Sequence, residues 1–145
     1  MISTELEVSL QLAAVEARQQ DHEEITVEHM LLALLDNPSA AKVLKACHAD
    51  IESMRRDLIT FMQKQLRSVR HASETITTRP TPSLQRVIAR TIMSVGIRET
   101  DPDATGADML LSIASQREYS FAMMCVQMHL TRPMLQATMR ELSLP

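Results

Sequence analysis

The stretch that decides the fold is "ITVEHMLLALLDNPSA", residues 25–40, because much of it returns as "ATGADMLLSIASQREYS" at residues 104–120. In both copies a threonine, Thr26 or Thr105, is followed after three intervening residues by Met-Leu-Leu. A threonine before an apolar run is typical of a helix start, since its hydroxyl accepts from a backbone N–H in the first turn. The recurrence indicates a helical unit that is repeated within the chain.

The composition favours a helical, globular protein of about one domain. The chain has 145 residues, of which 45% are hydrophobic and 23% charged, so it can bury a core and does not resemble a disordered segment. Only two glycines accompany eleven methionines. Glycine disrupts helices and straight-chain side chains suit them, so this balance favours helix over sheet.

The same totals argue against several classes of function. A net charge of −3 and an aromatic share of 2% are poor material for a nucleic-acid binder. Gly96 and Gly106 cannot form a glycine-rich phosphate loop, so neither of the two common nucleotide motifs is present and no cofactor is expected. There is no signal peptide or apolar run long enough to span a membrane, and the two cysteines form no disulfide framework. We therefore expect a cytoplasmic protein.

Capping residues and apolar spacing predict four helices in the first half. A capping box at Thr4 starts the first helix, which runs to about Gln20, and Thr26 caps the second. Asn37-Pro38 starts the third, because proline suits the first helical position, and Asp50 caps the fourth. The fourth helix should bury Met54, Leu58 and Met62.

Four more helices are predicted after the polar segment "RSVRHASETITTRPTP". The fifth starts at Thr81-Pro82 and stops near Gly96, and its expected inward residues are Leu84, Val87, Ile88, Ile92 and Val95. After a loop, "IRETDPDA", Thr105 caps the sixth helix and a capping box from Ser115 to Glu118 starts the seventh. Thr131 caps the eighth.

The two halves align at three anchors in the same order. "SLQ" at 9–11 recurs at 83–85, Thr26 matches Thr105, and Asp50 matches Thr131. We therefore predict an all-α fold, a pseudo-twofold tandem repeat of a four-helix motif packed as one compact bundle. The first repeat would span residues 1–65, the linker 66–80 and the second repeat 81–145.

Residues with catalytic or metal-binding chemistry give no catalytic motif. His22 and His29, with Glu23 and Glu24, either gather a surface ion or are ordinary polar residues around a helix start, and the second interpretation is favoured. Cys47 and Cys125 lie on apolar helical faces and are expected to be buried small hydrophobes. A catalytic group assembled only in space stays open, but no catalytic residue is predicted.

Methionine and charge patterns leave two kinds of binding surface open. Five methionines cluster near the C-terminus and either fill a core poor in aromatics, which is favoured, or line an apolar groove for unfolded segments: Met123, Met124, Met128, Met134 and Met139. Arg86 and Arg90 share one face of the fifth helix, and acids surround the start of the second helix, Glu28 among them. These charges are either solvated faces or a functional patch.

The segments "LEVSLQLAAVEAR", "HEEITVEHMLLALLDNPSA" and "VLKACHADIESMRRDL" together resemble the N-terminal domain of the ClpA-type AAA+ unfoldases. The resemblance covers essentially the whole chain, is dense in the first repeat and through "TRPTPSLQRVIAR", and is weaker after residue 96. It implies the double Clp-N motif, an all-α bundle of two four-helix repeats. "TVEHMLLALL" is shared by wider Clp relatives, and "NPSA" with the residues after it points to the ClpA branch.

The resemblance also implies a role and a set of partners. Such a domain is an accessory docking module, not an enzyme, in an unfoldase whose hexameric ring feeds protein substrates to the ClpP peptidase. It recruits the adaptor ClpS, which delivers N-degron substrates. The positions that match the family's adaptor face are Glu23, Glu28, Thr81, Arg86, Arg90 and Arg132. Direct capture of unfolded segments and a standalone paralogue are the alternatives.

Overall fold

The computed structural model describes residues 2–65, 78–96 and 103–143. These residues form eight helices and one short parallel ladder, with bounds α1 Thr4–Gln19, β1 Glu24–Ile25, α2 Val27–Leu34, α3 Pro38–Ala46, α4 Ile51–Gln65, β2 Arg79–Pro80, α5 Pro82–Val95, α6 Gly106–Ala114, α7 Phe121–Gln127 and α8 Arg132–Ser143. The all-α prediction is confirmed. Most of the predicted linker and of the "IRETDPDA" loop lies outside the described residues, so the predicted repeat boundaries stay a prediction.

The two threonines of the recurring stretch cap their helices as predicted. The Thr26 hydroxyl accepts from the His29 backbone N–H, and the His29 ring accepts from the Thr26 backbone N–H at 2.9 Å. Thr105 and Asp108 make the same reciprocal pair at the start of α6, with Asp108 accepting from the Thr105 backbone N–H at 2.9 Å. Each pair satisfies two N–H groups that have no partner within their own helix.

Two predicted helix starts were wrong, and in each case a serine other than the predicted residue caps the helix. Ser3, not Thr4, caps α1 by accepting from the Leu6 backbone N–H at 3.2 Å. Helix α7 starts after Ser120, which accepts from the Met123 backbone N–H, and not within the Ser115 to Glu118 box. Ser115 instead closes α6, because its own N–H is bound to the Leu111 carbonyl.

The two repeats are tied to each other by equivalent hydrogen bonds. The Ser3 N–H, at the start of α1, donates to the Ala104 carbonyl at 2.8 Å, just before α6. The Thr81 N–H, at the start of α5, donates to the Ile25 carbonyl at 3.0 Å, just before α2. The first helix of each repeat is thus joined to the entry of the other repeat's second helix. This reciprocity confirms the pseudo-twofold arrangement.

The equivalent caps also correct the alignment of the repeats. Since Ser3 and Thr81 hold equivalent positions, the residue that matches Ser83 is Glu5, and Ser9 matches Val87. The "SLQ" anchor was therefore out of register by four residues. Four residues make about one helical turn, so the shifted pattern still falls on the same face of the helix and imitates a true match.

One hydrophobic core runs through both repeats. Helices α2 and α6 lie at its centre, and Leu31, Leu34, Leu110 and Ile113 are fully buried. Met54, Leu58 and Met62 of α4 are buried as predicted, and Phe61 stacks on Phe121 across the repeats with ring centroids 4.3 Å apart. Cys47 and Cys125 are both buried, in agreement with the sequence, and burial raises the pKa of the Cys125 thiol to about 11.

The buried face of α5 differs from the prediction at one turn. Ile92 is 36% exposed, while the neighbouring Thr91 is fully buried. The Thr91 hydroxyl is satisfied inside the core because it donates to the Val87 carbonyl at 2.7 Å and lies 2.8 Å from the Ser112 hydroxyl. A hydroxyl paired in this way replaces an apolar side chain at the α5–α6 contact.

Glycine is required at the first position of α6. A Cβ added to Gly106 would lie 1.9 Å from the side-chain oxygen of Asn37. Asn37 is itself buried and fixed, since that oxygen caps α3 at Ala40 and its amide group donates to the Ser9 hydroxyl at 2.9 Å. Only a residue without a side chain lets α6 approach the start of α3 so closely.

Candidate functional site

The centre of the predicted partner face lies on α5. Thr81 caps this helix by accepting from the Leu84 backbone N–H at 3.1 Å, and Pro82 occupies the first helical position. The buried residues Leu84 and Val87 fix one side of the helix against the core. Arg86 is therefore turned outward, and 55% of its side chain is exposed.

Both arginines of α5 reach the segment between α6 and α7. The Arg86 guanidinium lies 2.7 Å from the Glu118 carboxylate, and 57% of the Glu118 side chain is exposed. Arg90 is half-buried and donates from Nη1 to the Ser115 carbonyl at 3.1 Å. That carbonyl belongs to the last turn of α6, where a cation also complements the helix dipole. Arg86 is thus the more available of the two cations.

Glu23 lies beside the start of α5. It is exposed and directly precedes β1, whose Glu24 and Ile25 pair with Arg79 and Pro80 of β2. The next residue, Thr81, donates its N–H to Ile25, so the short ladder fixes both sides of the junction. The ladder therefore places Glu23 close to Thr81, which caps the helix that carries Arg86.

Glu28 is placed differently from what its charge suggested. Its residue is only 7% exposed, and its Oε2 accepts from the buried backbone N–H of Ala122 at 2.8 Å. The carboxylate therefore lies at the N-terminal end of α7, where the helix dipole favours a negative charge. Its predicted contact with a partner stays untested, and its visible contact is internal.

Arg132 is the least connected of the six predicted residues. It is exposed at the first position of α8, after the cap that Thr131 provides to Met134. Helix α8 packs on α6, the helix whose end Arg90 contacts. In the described part of the chain, no hydrogen bond or ion pair joins Arg132 to the other five residues.

The sequence did not point to Glu118 or Tyr119 as members of this surface. Both lie in the segment between α6 and α7 that was taken for a helix start, and Tyr119 is 73% exposed. Tyrosine and arginine are frequent anchors of protein interfaces because each combines a large contact area with hydrogen-bonding groups. Glu118 pairs with Arg86 of α5 across 32 residues of sequence, a contact that no local pattern reveals, and Tyr119 is the next residue in the chain.

His22 and His29 lie around the start of α2, as the favoured interpretation has it, and they form a buried pair instead of a surface ion site. His22 is 8% exposed and His29 1%, and His22 Nδ1 lies 2.8 Å from His29 Nε2. Burial lowers the pKa of His29 to about 4, with a smaller contribution from His22. Burial also lowers the pKa of His22, against the opposing effect of Glu16 and Asp21. Both rings are accordingly neutral near pH 7.

The five C-terminal methionines do not line one groove among the pockets of the described residues. Met128 is 69% exposed and Met134 is 43% exposed, while Met123 and Met124 are half-buried on α7. Met139 instead lines a cavity of about 680 Å³ bounded by α3, α5, α6 and α8.

The described residues hold no cluster of three potential metal ligands. The ring nitrogens of His29 are both already engaged, one with Thr26 and one with His22. Across residues 2–65, 78–96 and 103–143, no helix combines the length and apolar character needed to cross a membrane.

Comparison with known proteins places the chain among Clp proteins. The family model for the Clp repeat (R) N-terminal domain matches residues 1–127. A ClpA homolog protein from Fuscovulum blasticum is 35% identical over 130 residues, which are 90% of this chain and 16% of that protein. The chain thus spans only a small part of the length of this relative.

Solved structures share the fold at low sequence identity. The N-domain of ClpV from Vibrio cholerae has a TM-score of 0.77 at 19% identity, covering 97% of this chain and 83% of that one. A ClpV N-domain in complex with a VipB peptide has a TM-score of 0.71 at 18% identity, covering 93% and 87%. The family match, the related sequence and the shared fold agree. This chain belongs to the family of Clp repeat N-terminal domains.

Proposed function

We propose that this chain is the adaptor- and substrate-docking domain of a ClpA-type ATP-dependent unfoldase, and that it binds a ClpS-type adaptor carrying N-degron substrates. In this proposal it performs no catalysis itself. The ATPase modules, the hexameric ring and the link to ClpP belong to a longer cytoplasmic protein. The similarity to the ClpA homolog supports this assignment over other branches of the family.

The observation that supports the proposal is the exposed pair that Arg86, on the helix that Thr81 caps, forms with Glu118, together with the exposed Glu23 at the β1–β2 junction where this helix begins. Exposed basic and acidic groups are thus contributed by α5 and the α6–α7 segment, which pair with each other, and by the β1–β2 junction at the start of α5. Such a patch fixes the orientation of a partner, because only one placement matches both signs of charge. It does so without a large apolar area, which suits a reversible docking step.

In the bound state a carboxylate of the adaptor would take the place of Glu118 against Arg86. The Arg86–Glu118 pair is more than half exposed, and exposed ion pairs of this kind contribute only about 0–1 kcal/mol to stability. Exchanging one carboxylate for another therefore costs little. Arg90 would hold the start of the α6–α7 segment in place through its hydrogen bond to the Ser115 carbonyl.

Glu28 would act from inside the domain. Its bond to Ala122 holds the start of α7, and α7 directly follows the segment that carries Glu118 and Tyr119. We assign to Glu28 the role of positioning this segment. Glu23, which is exposed, is the acid that would contact the adaptor.

Calorimetric titration of this domain with its cognate ClpS tests the proposal. We expect one-to-one binding by the wild type and a loss of at least about tenfold in affinity for an Arg86→Glu, Arg90→Glu double variant. The attraction between Arg86 and the adaptor becomes a repulsion, and the α6–α7 segment loses the support of the Arg90–Ser115 bond. Arg56 is exposed on α4, so Arg56→Glu is a control of the same chemistry on another element. The control should bind like the wild type, and circular dichroism should show that all three proteins are folded.

Salt dependence gives a second, independent readout of the same face. Docking through exposed charges weakens as ionic strength rises, since the Debye length falls from about 10 Å at 0.1 M to about 3 Å at 1 M. Absence of binding by the folded wild type, or equal binding by the double variant, would overturn the proposal. Binding insensitive to salt would point to an apolar mode of capture.

A further inference from the structure

The hydrogen bonds around His29 fix the position of each proton in the His22–His29 pair. The Thr26 backbone N–H always carries a hydrogen, so His29 Nδ1 must accept from it. The ring proton of neutral His29 is therefore on Nε2, and it is donated to His22 Nδ1 at 2.8 Å. His22 Nδ1 must then be unprotonated. These hydrogen bonds are compatible with two neutral rings, each of which carries one ring proton. A third proton, on His22 Nδ1, would point at the Nε2–H of His29.

This pair is connected by backbone to the β1–β2 junction of the proposed docking face. The His22 backbone N–H donates to the Ala17 carbonyl at 2.8 Å, and its carbonyl accepts from the Thr78 hydroxyl at 3.3 Å. Glu23 and β1 follow at once, and the Ile25 carbonyl of β1 holds the Thr81 N–H. The position of His22 is thus transmitted through two residues of backbone to the junction that carries the face.

We infer that the His22–His29 pair is a proton-sensitive positioning element of the docking face, which holds Glu23 and Thr81 in place while both rings are neutral and releases them when His22 takes up a proton. A protonated His22 presents an N–H at Nδ1, and two donors then face each other at hydrogen-bond distance. The link to adaptor docking rests on the proposed function. The link to the β1–β2 junction does not.

Charged groups on the surrounding elements decide which ring is protonated first. Glu16 of α1 and Asp21 of the preceding loop both favour the charged form of His22 and partly offset its burial. For His29 on α2, burial and then the charge of His22 both lower the pKa, and no carboxylate offsets them. His22 is therefore the ring that takes up the first proton as the pH falls.

Amide hydrogen exchange followed by NMR tests the element without any adaptor. The protection factors of the Thr26 and Thr81 amides, which correct for the intrinsic effect of pH, should fall several-fold in the wild type between pH 7.5 and 5. The fall is expected because burial lowers the pKa of His22 in the held state, so protonation favours the released state. In wild-type protein, the shift of the Thr81 amide should also titrate with the same midpoint as the His22 ring.

Two variants separate the pair from general acid effects. His22→Gln keeps an acceptor for His29 Nε2–H but cannot take up a proton, so protection at Thr81 should become flat over this range of pH. His48 is exposed and has a left-handed backbone, φ 60, so His48→Asn is a compatible control that should behave like the wild type. Equal pH profiles for wild type and His22→Gln, or a Thr81 midpoint unrelated to His22, would overturn the inference.

Titration with ClpS at pH 7.5 and 5.5 then addresses docking. Between pH 7.5 and 5.5 we expect the wild type to lose several-fold more affinity than His22→Gln. Both proteins bind the same adaptor, so the effect of pH on ClpS itself is the same in both titrations and cancels in the comparison. A pH-dependent Thr81 amide together with no ClpS binding at either pH would reject the proposed function and keep the positioning element. A Thr81 amide whose protection does not change with pH, together with normal ClpS binding, would reject the positioning element and keep the proposed function.

Discussion

The Glu28 carboxylate accepts a hydrogen bond from the Ala122 backbone N–H at 2.8 Å, across 94 residues of sequence and between the two repeats. It joins the first turn of α2 to the first turn of α7, and both residues are buried. Two acids that look equivalent in the sequence, Glu23 and Glu28, therefore have different roles. One is exposed beside the docking face and the other holds the fold together.

Replacing these two acids should separate stability from binding. Glu28→Ala leaves the Ala122 N–H buried without a partner, and we expect the free energy of unfolding to fall by about 1–3 kcal/mol. Glu23→Ala should change stability by no more than about 0.5 kcal/mol, since its side chain is exposed. Urea unfolding of both variants measures the difference. A stability loss for Glu23→Ala that matches Glu28→Ala would contradict the assignment.

The close approach of Gly106 to Asn37 predicts a second contrast. Gly106→Ala forces a Cβ against a buried, fully bonded side chain and should cost about 1–3 kcal/mol of stability. The only other glycine is a matched control, because a Cβ at Gly96 would meet carbonyl oxygens at no less than 3.5 Å and the backbone there is right-handed. Gly96→Ala should be neutral or slightly stabilising. Thermal unfolding that ranks the two substitutions in the opposite order would refute the packing argument.

The lowered pKa of His29 predicts how stability depends on pH. The folded protein holds this ring neutral down to about pH 4, whereas the unfolded chain takes up the proton near pH 6.5. The contribution of His29 is therefore fully present above pH 6.5 and is lost as the pH falls towards 4. At pH 5 we expect it to be smaller by about 2 kcal/mol than at pH 7.

Comparison with His29→Gln isolates this contribution from that of the carboxylates. Glutamine can accept from Thr26 and donate to His22 without titrating. Unfolding free energies from urea titrations at pH 7 and pH 5 should therefore differ less in the variant than in the wild type. The same difference in both proteins would show that His29 does not titrate as its burial requires.

Glu118 should compete with the adaptor for the guanidinium of Arg86. Removing it in Glu118→Ala frees the guanidinium, and we expect affinity for ClpS to rise by about two- to fivefold, the scale of an exposed ion pair. Fold stability should hardly change. A fall in affinity would instead mean that Glu118 contacts the adaptor itself, and the exchange of carboxylates proposed above would be wrong.

Local chemistry explains which parts of the fold could be read from the sequence. The caps at Thr26, Asn37, Thr81 and Thr105 act on backbone groups a few residues away, so their positions and the helices after them were predictable. The failure at Ser115 has the same origin. "SQRE" satisfies the local rule, but the end of α6 already uses the Ser115 N–H.

The site was less predictable because its members meet only in the folded chain. Arg86 and Arg90 could be identified as a shared face, since their spacing places them one turn apart. Their partners Glu118 and Ser115 lie 32 and 25 residues away. Glu28 is buried against α7 of the other repeat, so its charge suggested a solvated residue where the fold placed an internal one.

The most direct test of the docking face is an NMR titration of ¹⁵N-labelled domain with unlabelled ClpS. The account predicts that backbone amide shifts concentrate at Glu23, Thr81, Arg86, Glu118 and Tyr119, while the α3–α4 surface around Lys45 and Arg56 stays unchanged. Shifts confined to the α3–α4 surface, or none at saturating ClpS, would contradict the claim that this face docks the adaptor.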